Sequence, residues 1–357
     1  MIDLDNARAI VAKDSDGMLG HILGLPKQIE AAWSLTRSFD PPADYRATHW
    51  KPSAIVVLGM GGSAIGGDLV RTVVGSELKA PLLVVRDYDV PAYVGPTTLV
   101  IASSHSGQTE ETLNAFKTAL ARGAKGLVIS TGGTLLKRAE EAGLPAIQFA
   151  YPSQPRAAVG YSTTLLLGVL CRLGLVADKS ADVAEAVALL TSMIDELKPE
   201  VPTERNLAKQ LAQFFAGKTA VVYGGVLAEV ARRWKGQFNE NAKTWAFFEA
   251  LPELDHNAVV GFQDPAKLRD HLAVVTLTSS FDSPRVTVRE QVTDELMTHY
   301  GVPHRTVAAR GKSLFAQVFS ALYVADYLSY YVAALYEVDP TPIEAINHLK
   351  AELAKRG

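Results

Sequence analysis

Ser103, Ser104, Ser106 and Thr109 crowd four hydroxyl side chains into seven residues around Gly107. Before them, Leu99–Ala102 reads as a short buried strand. After them, Glu110, Glu111 and the run Leu113–Leu120 read as the first turns of an amphipathic helix. A strand that opens into a hydroxyl-rich loop and feeds a helix N-terminus makes an anion site. The loop offers O–H and N–H donors, and the helix end adds partial positive charge. Neither Lys nor Arg stands in the loop, which suits a monoester phosphate held by neutral donors. The competing reading is a polar turn with an ordinary capped helix, since Ser and Thr are common N-caps. Four hydroxyls around one glycine are more than a cap requires.

The elements that must hold this loop alternate strand and helix. Ala54–Leu58 reads as a buried strand running into Gly59-Met60-Gly61-Gly62-Ser63 and a helix from about Ala64. Leu82–Val85, Leu99–Ala102 and Leu127–Ser130 follow as strands with helical stretches between them, so a parallel sheet covered on both faces is expected. Ligands of such sheets sit at the carboxyl ends of the strands, where both loops lie. The pattern repeats in the second half. Thr219–Tyr223 with Gly224-Gly225 echoes the first strand and loop. Leu272–Leu277 with Thr278–Ser283 echoes the second, and Thr306–Ala309 echoes Leu127–Ser130. Most of the Gly-rich loop is missing there, so the second half is not expected to hold a phosphate in the same way. Residues 1–45 read as helical and appended, and Ala181–Leu211 as a helical connector broken at Pro199 and Pro202.

A rival reading of the first loop is a dinucleotide site. Gly59-Met60-Gly61-Gly62-Ser63-Ala64 fits G-x-G-x-x-A after a strand, with Asp87 as the acid. Two loops converging on one point suit a single sugar phosphate better.

Composition removes other classes. The chain is 48% hydrophobic and 20% charged with a net charge of −3, so its 357 residues can bury a large core. The charges are scattered, which points to a small-molecule partner, with no nucleic acid and no membrane. Cys171, in an apolar run, is expected in the core and cannot form an intrachain disulfide. Asp3, Asp5 and Arg8 interrupt the N-terminus, so no signal peptide is expected. Phe315–Tyr336 carries Gln317 and Asp326 and reads as a buried helix and not a membrane span. A cytoplasmic protein is expected. The spacing of His, Cys and Asp offers no metal-ligand pattern, so neither a metal nor another cofactor is expected.

GMGGSAIGGD at Gly59–Asp68, SSHSGQTEET at Ser103–Thr112 and QPRAAVGY at Gln154–Tyr161 resemble the sugar isomerase (SIS) domain. NENAK at Asn239–Lys243, followed by Pro252-Glu253-Leu254-Asp255-His256-Asn257, narrows the resemblance to the bifunctional phosphoglucose/phosphomannose isomerases of archaea and some bacteria. The resemblance covers about residues 50–350. It implies an α/β fold of two tandem SIS-type subdomains, each a flavodoxin-like three-layer α/β/α sheet, with helical N- and C-terminal extensions. The expected division is an N-terminal helical extension (1–48), a first, phosphate-binding SIS domain (49–178), a helical connector (179–210), a second SIS domain (211–338) and a C-terminal helical segment (339–357).

The same resemblance implies aldose–ketose isomerisation of glucose 6-phosphate and mannose 6-phosphate to fructose 6-phosphate through a cis-enediol, without a metal. Gly62, Ser63, Ser104, Ser106 and Thr109 match the phosphate-binding positions. Glu240 matches the base, which takes the C2 proton and returns it to C1. Arg156 matches the cation that stabilises the enediolate. His256 matches the residue that assists ring opening. In the family it comes from the neighbouring subunit, so a homodimer is implied. Related isomerases place a hydroxyl or amide residue seven positions before a Lys. Here Thr341 fills the first place, but seven positions on stands His348, with Lys350 two further. Either His348 or Lys350 takes the ring-opening part.

Without the resemblance each residue has a plainer reading: Glu240 a solvated helix end, His256 a turn residue, Arg156 a surface charge, Ile343–Leu353 a packing helix, and His105 a shaper of its loop. A sugar-phosphate sensor without catalysis, or an isomerase of another phosphosugar such as an amino sugar, would share the loops.

Overall fold

Three short helices, α1 (Ala7–Val11), α2 (Met18–Leu23) and α3 (Leu25–Ser38), precede β1 (Ala54–Leu58), an apolar strand buried along its whole length. In the computed structural model, which describes residues 2–356, there follow α4 (Gly61–Val74), β2 (Leu82–Val85), β3 (Thr98–Ser104), α5 (Glu110–Ala121), β4 (Lys125–Ser130), α6 (Gly133–Glu141), β5 (Ala146–Gln148) and α7 (Val159–Arg172). The five strands form one parallel sheet in the order β2-β1-β3-β4-β5. Leu58 pairs with Val85 on one side and Ala102 on the other, and Ser104 stands opposite Ser130. β3 runs two residues beyond the expected Ala102, so Ser103 and Ser104 belong to the strand. The edge strand β5 is additional to the four expected.

Both faces of this sheet are covered. Val56, Leu58, Val100, Ala102 and Val128 pack with Phe116 of α5 and Leu135 of α6. On the other face α4 lies so close that a Cβ on Gly67 would come within 2.9 Å of Val84. α7 is buried all round from Val159 to Leu170, as expected of a helix covered on two sides. Its outer cover is α3. A Cβ on Gly168 would sit 2.3 Å from Thr36 Oγ1, and Gln28 Nε2 donates to Tyr151 Oη and to the Ala157 carbonyl, each at 2.9 Å. α3 is therefore part of this unit, not an appended helix. The unit comprises Gly24–Ser192 with Ala309–Ser320.

The second unit comprises Met1–Leu23, Met193–Ala308 and Ala321–Gly357. The chain reaches it through α8 (Ser180–Leu197), which stops before Pro199, and α9 (Leu207–Phe215), whose N-cap Asn206 accepts from Lys209 N at 3.1 Å. The fully buried Lys209 ammonium donates to the Pro199 and Val201 carbonyls, each at 2.7 Å, and so holds the proline break in place. Then come β6 (Thr219–Gly224), α10 (Ala228–Glu240), β7 (Ala246–Ala250), β8 (Leu272–Thr278), α11 (Pro284–Tyr300), β9 (His304–Ala308), α12 (Leu314–Leu335) and α13 (Glu344–Lys355). The strands are parallel in the order β7-β6-β8-β9, one more than expected, the addition being the edge strand β7. α12 is long and apolar enough to cross a membrane, but its most apolar window is wholly buried in the fold. No side chain of α13 is buried.

Candidate active site

The strand order of the first sheet reverses between β1 and β3, so its crevice opens at their carboxyl ends. Both loops of interest converge there. Ser63 Oγ accepts the His105 N–H at 3.1 Å and ties the first loop to the second. Ser104 Oγ accepts from Gly107 N at 3.1 Å and pairs with Thr109 Oγ1 at 3.0 Å. Ser106 Oγ accepts from Gln108 N at 3.2 Å. A hydroxyl that accepts from a backbone N–H uses one lone pair and keeps its own proton to give. The plain capping reading is not what these groups do. Neither Met60, before α4, nor Thr109, before α5, makes a side-chain cap bond. Ser63 and Ser104 are buried, Thr109 is half-buried and Ser106 is at the rim.

The loop's shape depends on Gly107, whose φ is +63°. A Cβ there would come 1.9 Å from the Gly132 carbonyl oxygen. The β4–α6 turn buttresses the loop from that side: Thr131 N and Oγ1 donate to the His105 carbonyl at 3.2 and 2.6 Å, and Leu135 N donates to the Gly107 carbonyl at 3.0 Å. Gly107→Ala therefore combines left-handed strain with a backbone clash. It is expected to lower the melting temperature and to raise KM for a phosphorylated substrate at least ~10-fold, since that factor corresponds to only about 1.4 kcal/mol of binding. An unchanged KM in steady-state assays would separate this loop from substrate binding.

Arg156 lies on a short 3-10 turn, Pro155–Ala158, and is 1% exposed, so the plain reading of a surface charge is wrong. The turn sits against the start of α4: a Cβ on Gly62 would be 2.5 Å from the Pro155 carbonyl oxygen and 2.9 Å from Arg156 N. Gly62 thus serves close packing, and its own carbonyl accepts from Ser162 Oγ at 3.1 Å. His105 Nε2 lies 3.0 Å from the Tyr151 carbonyl, which can only accept, so Nε2 carries the proton. Burial pushes the imidazole pKa down despite that bond. His105 shapes the loop. Asp87, the acid a dinucleotide fingerprint would use, is exposed and accepts from Tyr88 N at 2.7 Å within its own turn.

The corresponding crevice of the second sheet is filled from within. The Asp282 carboxylate accepts from Val226 N at 2.7 Å and from Ser279 N at 2.8 Å, taking donors of both loops. A Cβ on Gly225 would be 2.2 Å from Asp282 Oδ1.

Glu240 is the last residue of α10 and is half-buried. One face of α10 is fixed to α12. Trp234 Nε1 donates to the Ala321 carbonyl at 3.0 Å, Arg233 Nη2 and Gln237 Nε2 donate to Asp326 Oδ1 at 3.2 and 2.5 Å, and Asn241 Nδ2 donates to Ser329 Oγ at 3.0 Å. Past the helix end, Lys243 Nζ donates to the carbonyls of Glu240 at 2.6 Å and Pro340 at 3.1 Å. That brings the Glu240 turn and the Pro340–Thr341 segment together. Thr341 is buried, and its N–H donates to Asp339 Oδ1 at 2.9 Å. Burial raises the Asp339 pKa, but bonds from Ser15 and Thr341 outweigh it and hold the carboxyl below its usual range.

Glu240 and His256 flank β7 in the chain, His256 on the 3-10 turn Glu253–His256. The four steps along this five-residue strand put roughly 13 Å between its two ends. His256 is exposed, on a turn anchored by Asp255, which accepts from Arg289 Nη1 at 2.8 Å and Thr293 Oγ1 at 2.9 Å. His348 and Lys350 are both exposed on α13, and two positions apart on a helix they face nearly opposite directions. Sequence reasoning missed the Lys243 link and the Asp326 anchor. The available signal was the polar series Arg233, Gln237, Asn241 at helical spacing, opposite a mainly apolar α12 with one acid in it. Among the described residues no group of three or more His, Cys, Asp or Glu side chains is placed to hold a metal ion.

The family model of the bacterial phospho-glucose isomerase C-terminal SIS domain matches residues 204–353. A bifunctional phosphoglucose/phosphomannose isomerase of Caldicellulosiruptor bescii is 40% identical over 340 residues, 95% of this chain and 99% of the relative. Its counterpart from Aquifex aeolicus is 35% identical over 303 residues, 84% of this chain and 90% of the relative. The fold is shared with a hypothetical protein from Thermus thermophilus of solved structure, at a TM-score of 0.75 and 18% identity over 99% of this chain and 94% of that one. On this near full-length likeness, the chain belongs to the family of bifunctional phosphoglucose/phosphomannose isomerases.

Proposed function

We propose that the protein interconverts glucose 6-phosphate and mannose 6-phosphate with fructose 6-phosphate through a cis-enediol. The observation that carries this is the 40% identity, over 99% of the relative, to a protein named for that activity. The hydroxyl-lined crevice supports it chemically, since neutral donors suit a monoester phosphate. In the proposed reaction Ser63, Ser104, Ser106 and Thr109 hold the phosphate. The Glu240 carboxylate removes the proton from C2 of the open-chain aldose and returns it to C1. The C1 carbonyl becomes a hydroxyl and the C2 hydroxyl becomes the carbonyl, so nothing is gained or lost overall. The buried Arg156 guanidinium stabilises the charge that develops on the enediolate oxygen. The two aldoses differ only at C2, and rotation about C2–C3 offers either hydrogen to one base. Thr341, being small, leaves room for that rotation.

Ring opening is assigned to His256 of a second copy, with His348 or Lys350 of α13 assisting. The placement of Glu240 and His256 at opposite ends of β7 supports a homodimer in which the two meet across subunits. A cytoplasmic location is part of this proposal; a chain with a single cysteine is in keeping with a reducing compartment, and Cys171 is half-buried near the end of α7, not in the core as expected. The test is fructose 6-phosphate formation from each aldose phosphate, with and without EDTA. EDTA-insensitive turnover of both is expected. Turnover of one alone narrows the substrate. Failure on both, with sugar phosphate still raising the melting temperature, would replace the isomerase with a sensor.

A further inference from the structure

Lys243 occupies a backbone position that suits glycine. Its φ is +57°, in the left-handed region that L side chains rarely adopt, shortly past the last residue of a helix. The lysine side chain supplies bonds that glycine could not. Its ammonium has three donors and meets three carbonyls: Glu240 at 2.6 Å, Pro340 at 3.1 Å and Asn241 at 3.5 Å. The Glu240 and Asn241 carbonyls belong to the end of α10, where partial negative charge gathers and a cation is favoured. The Pro340 carbonyl is nearly a hundred residues further along the chain and adjoins Thr341. Thr341 is held from its other side through the Asp339 carboxylate, which also accepts from Ser15. One side chain therefore ties the backbone of the base to the backbone of the residue assigned to C2.

We propose that Lys243 is a positioning residue that sets the relative rates on the two C2-epimeric aldose phosphates, by fixing how far Thr341 stands from the Glu240 turn. The proposal rests on the reading of Glu240 as base and Thr341 as neighbour of C2. Glucose and mannose 6-phosphate share the phosphate and every centre but C2. Only a change near C2 moves their rates apart, whereas loosening of the fold lowers both together.

The test is the ratio of kcat/KM for the two aldoses in Lys243→Gly and Lys243→Arg, with the melting temperature of each. Glycine takes the left-handed backbone without strain, so Lys243→Gly is expected to keep the melting temperature within about 2 °C while the ratio shifts at least ~3-fold. Lys243→Arg keeps a charged donor and is expected to bring the ratio back to within about twofold of the parent. If Lys243→Gly does not fold, Lys243→Met, which keeps the stem, carries the same measurement. A parental ratio in the glycine or methionine variant overturns the proposal, and leaves the base assignment standing when Glu240→Gln is inactive. An active Glu240→Gln overturns both.

Discussion

Glu240→Gln is expected to lower kcat/KM by about 10²–10⁴-fold for glucose 6-phosphate and mannose 6-phosphate alike, the usual range for a lost general base. Glutamine keeps the shape of the side chain and the helix end, so the loss falls on proton transfer. KM should move little, because the phosphate is assigned to hydroxyls on β3 and at the starts of α4 and α5. Stability should move the other way. Glu240 ends α10, where a negative charge opposes the helix dipole, so removing it relieves an unfavourable interaction with the helix end. The melting temperature is therefore expected to stay level or rise slightly while turnover collapses. Solvent deuterium exchange at C2 should vanish with turnover. A variant that turns over both substrates normally would remove Glu240 from the chemistry.

The phosphate crevice was legible in the sequence because everything that makes it is local. A buried apolar strand, a hydroxyl-rich loop and a helix start follow one another in the chain, and the strand-helix alternation fixes where they end up. The strands missed were those with little periodic signal. β5 has only three residues. β7 reads AFFEA directly after the polar turn that ends α10, and as an edge strand it alternates only weakly. The N-terminal helices read as one extension because the glycines that admit α3, Gly160 and Gly168, sit in α7 far along the chain. The environment of Glu240 was illegible for a different reason. Lys243 binds backbone carbonyls, which carry no residue identity, and one of them belongs to Pro340. Arg156 showed the opposite case: a charged residue after proline reads as surface, yet the turn that carries it is pressed onto Gly62 and the side chain is buried.

Asp326→Ala is expected to cost about 3–5 kcal/mol, the usual penalty for removing one partner of a buried ion pair. Arg233 and Asp326 side chains are only 5% and 7% exposed, and Gln237 shares the same carboxylate oxygen. At roughly 2–4 °C per kcal/mol for a unit of this size, the melting temperature should fall by roughly 6 °C or more. Because α10 carries Glu240 one turn beyond Gln237, kcat should fall more than KM in whatever fraction stays folded. The pair's purpose can be separated from its burial. Replacing both partners, Arg233→Met with Asp326→Leu, removes the desolvation cost together with the attraction and is expected to recover most of the lost stability. If the double variant melts like the parent but keeps a reduced kcat, the buried acid serves to orient α10 and its terminal glutamate. If kcat returns with the melting temperature, apolar packing of α10 on α12 suffices to hold Glu240, and the ion pair contributes neither stability nor aim.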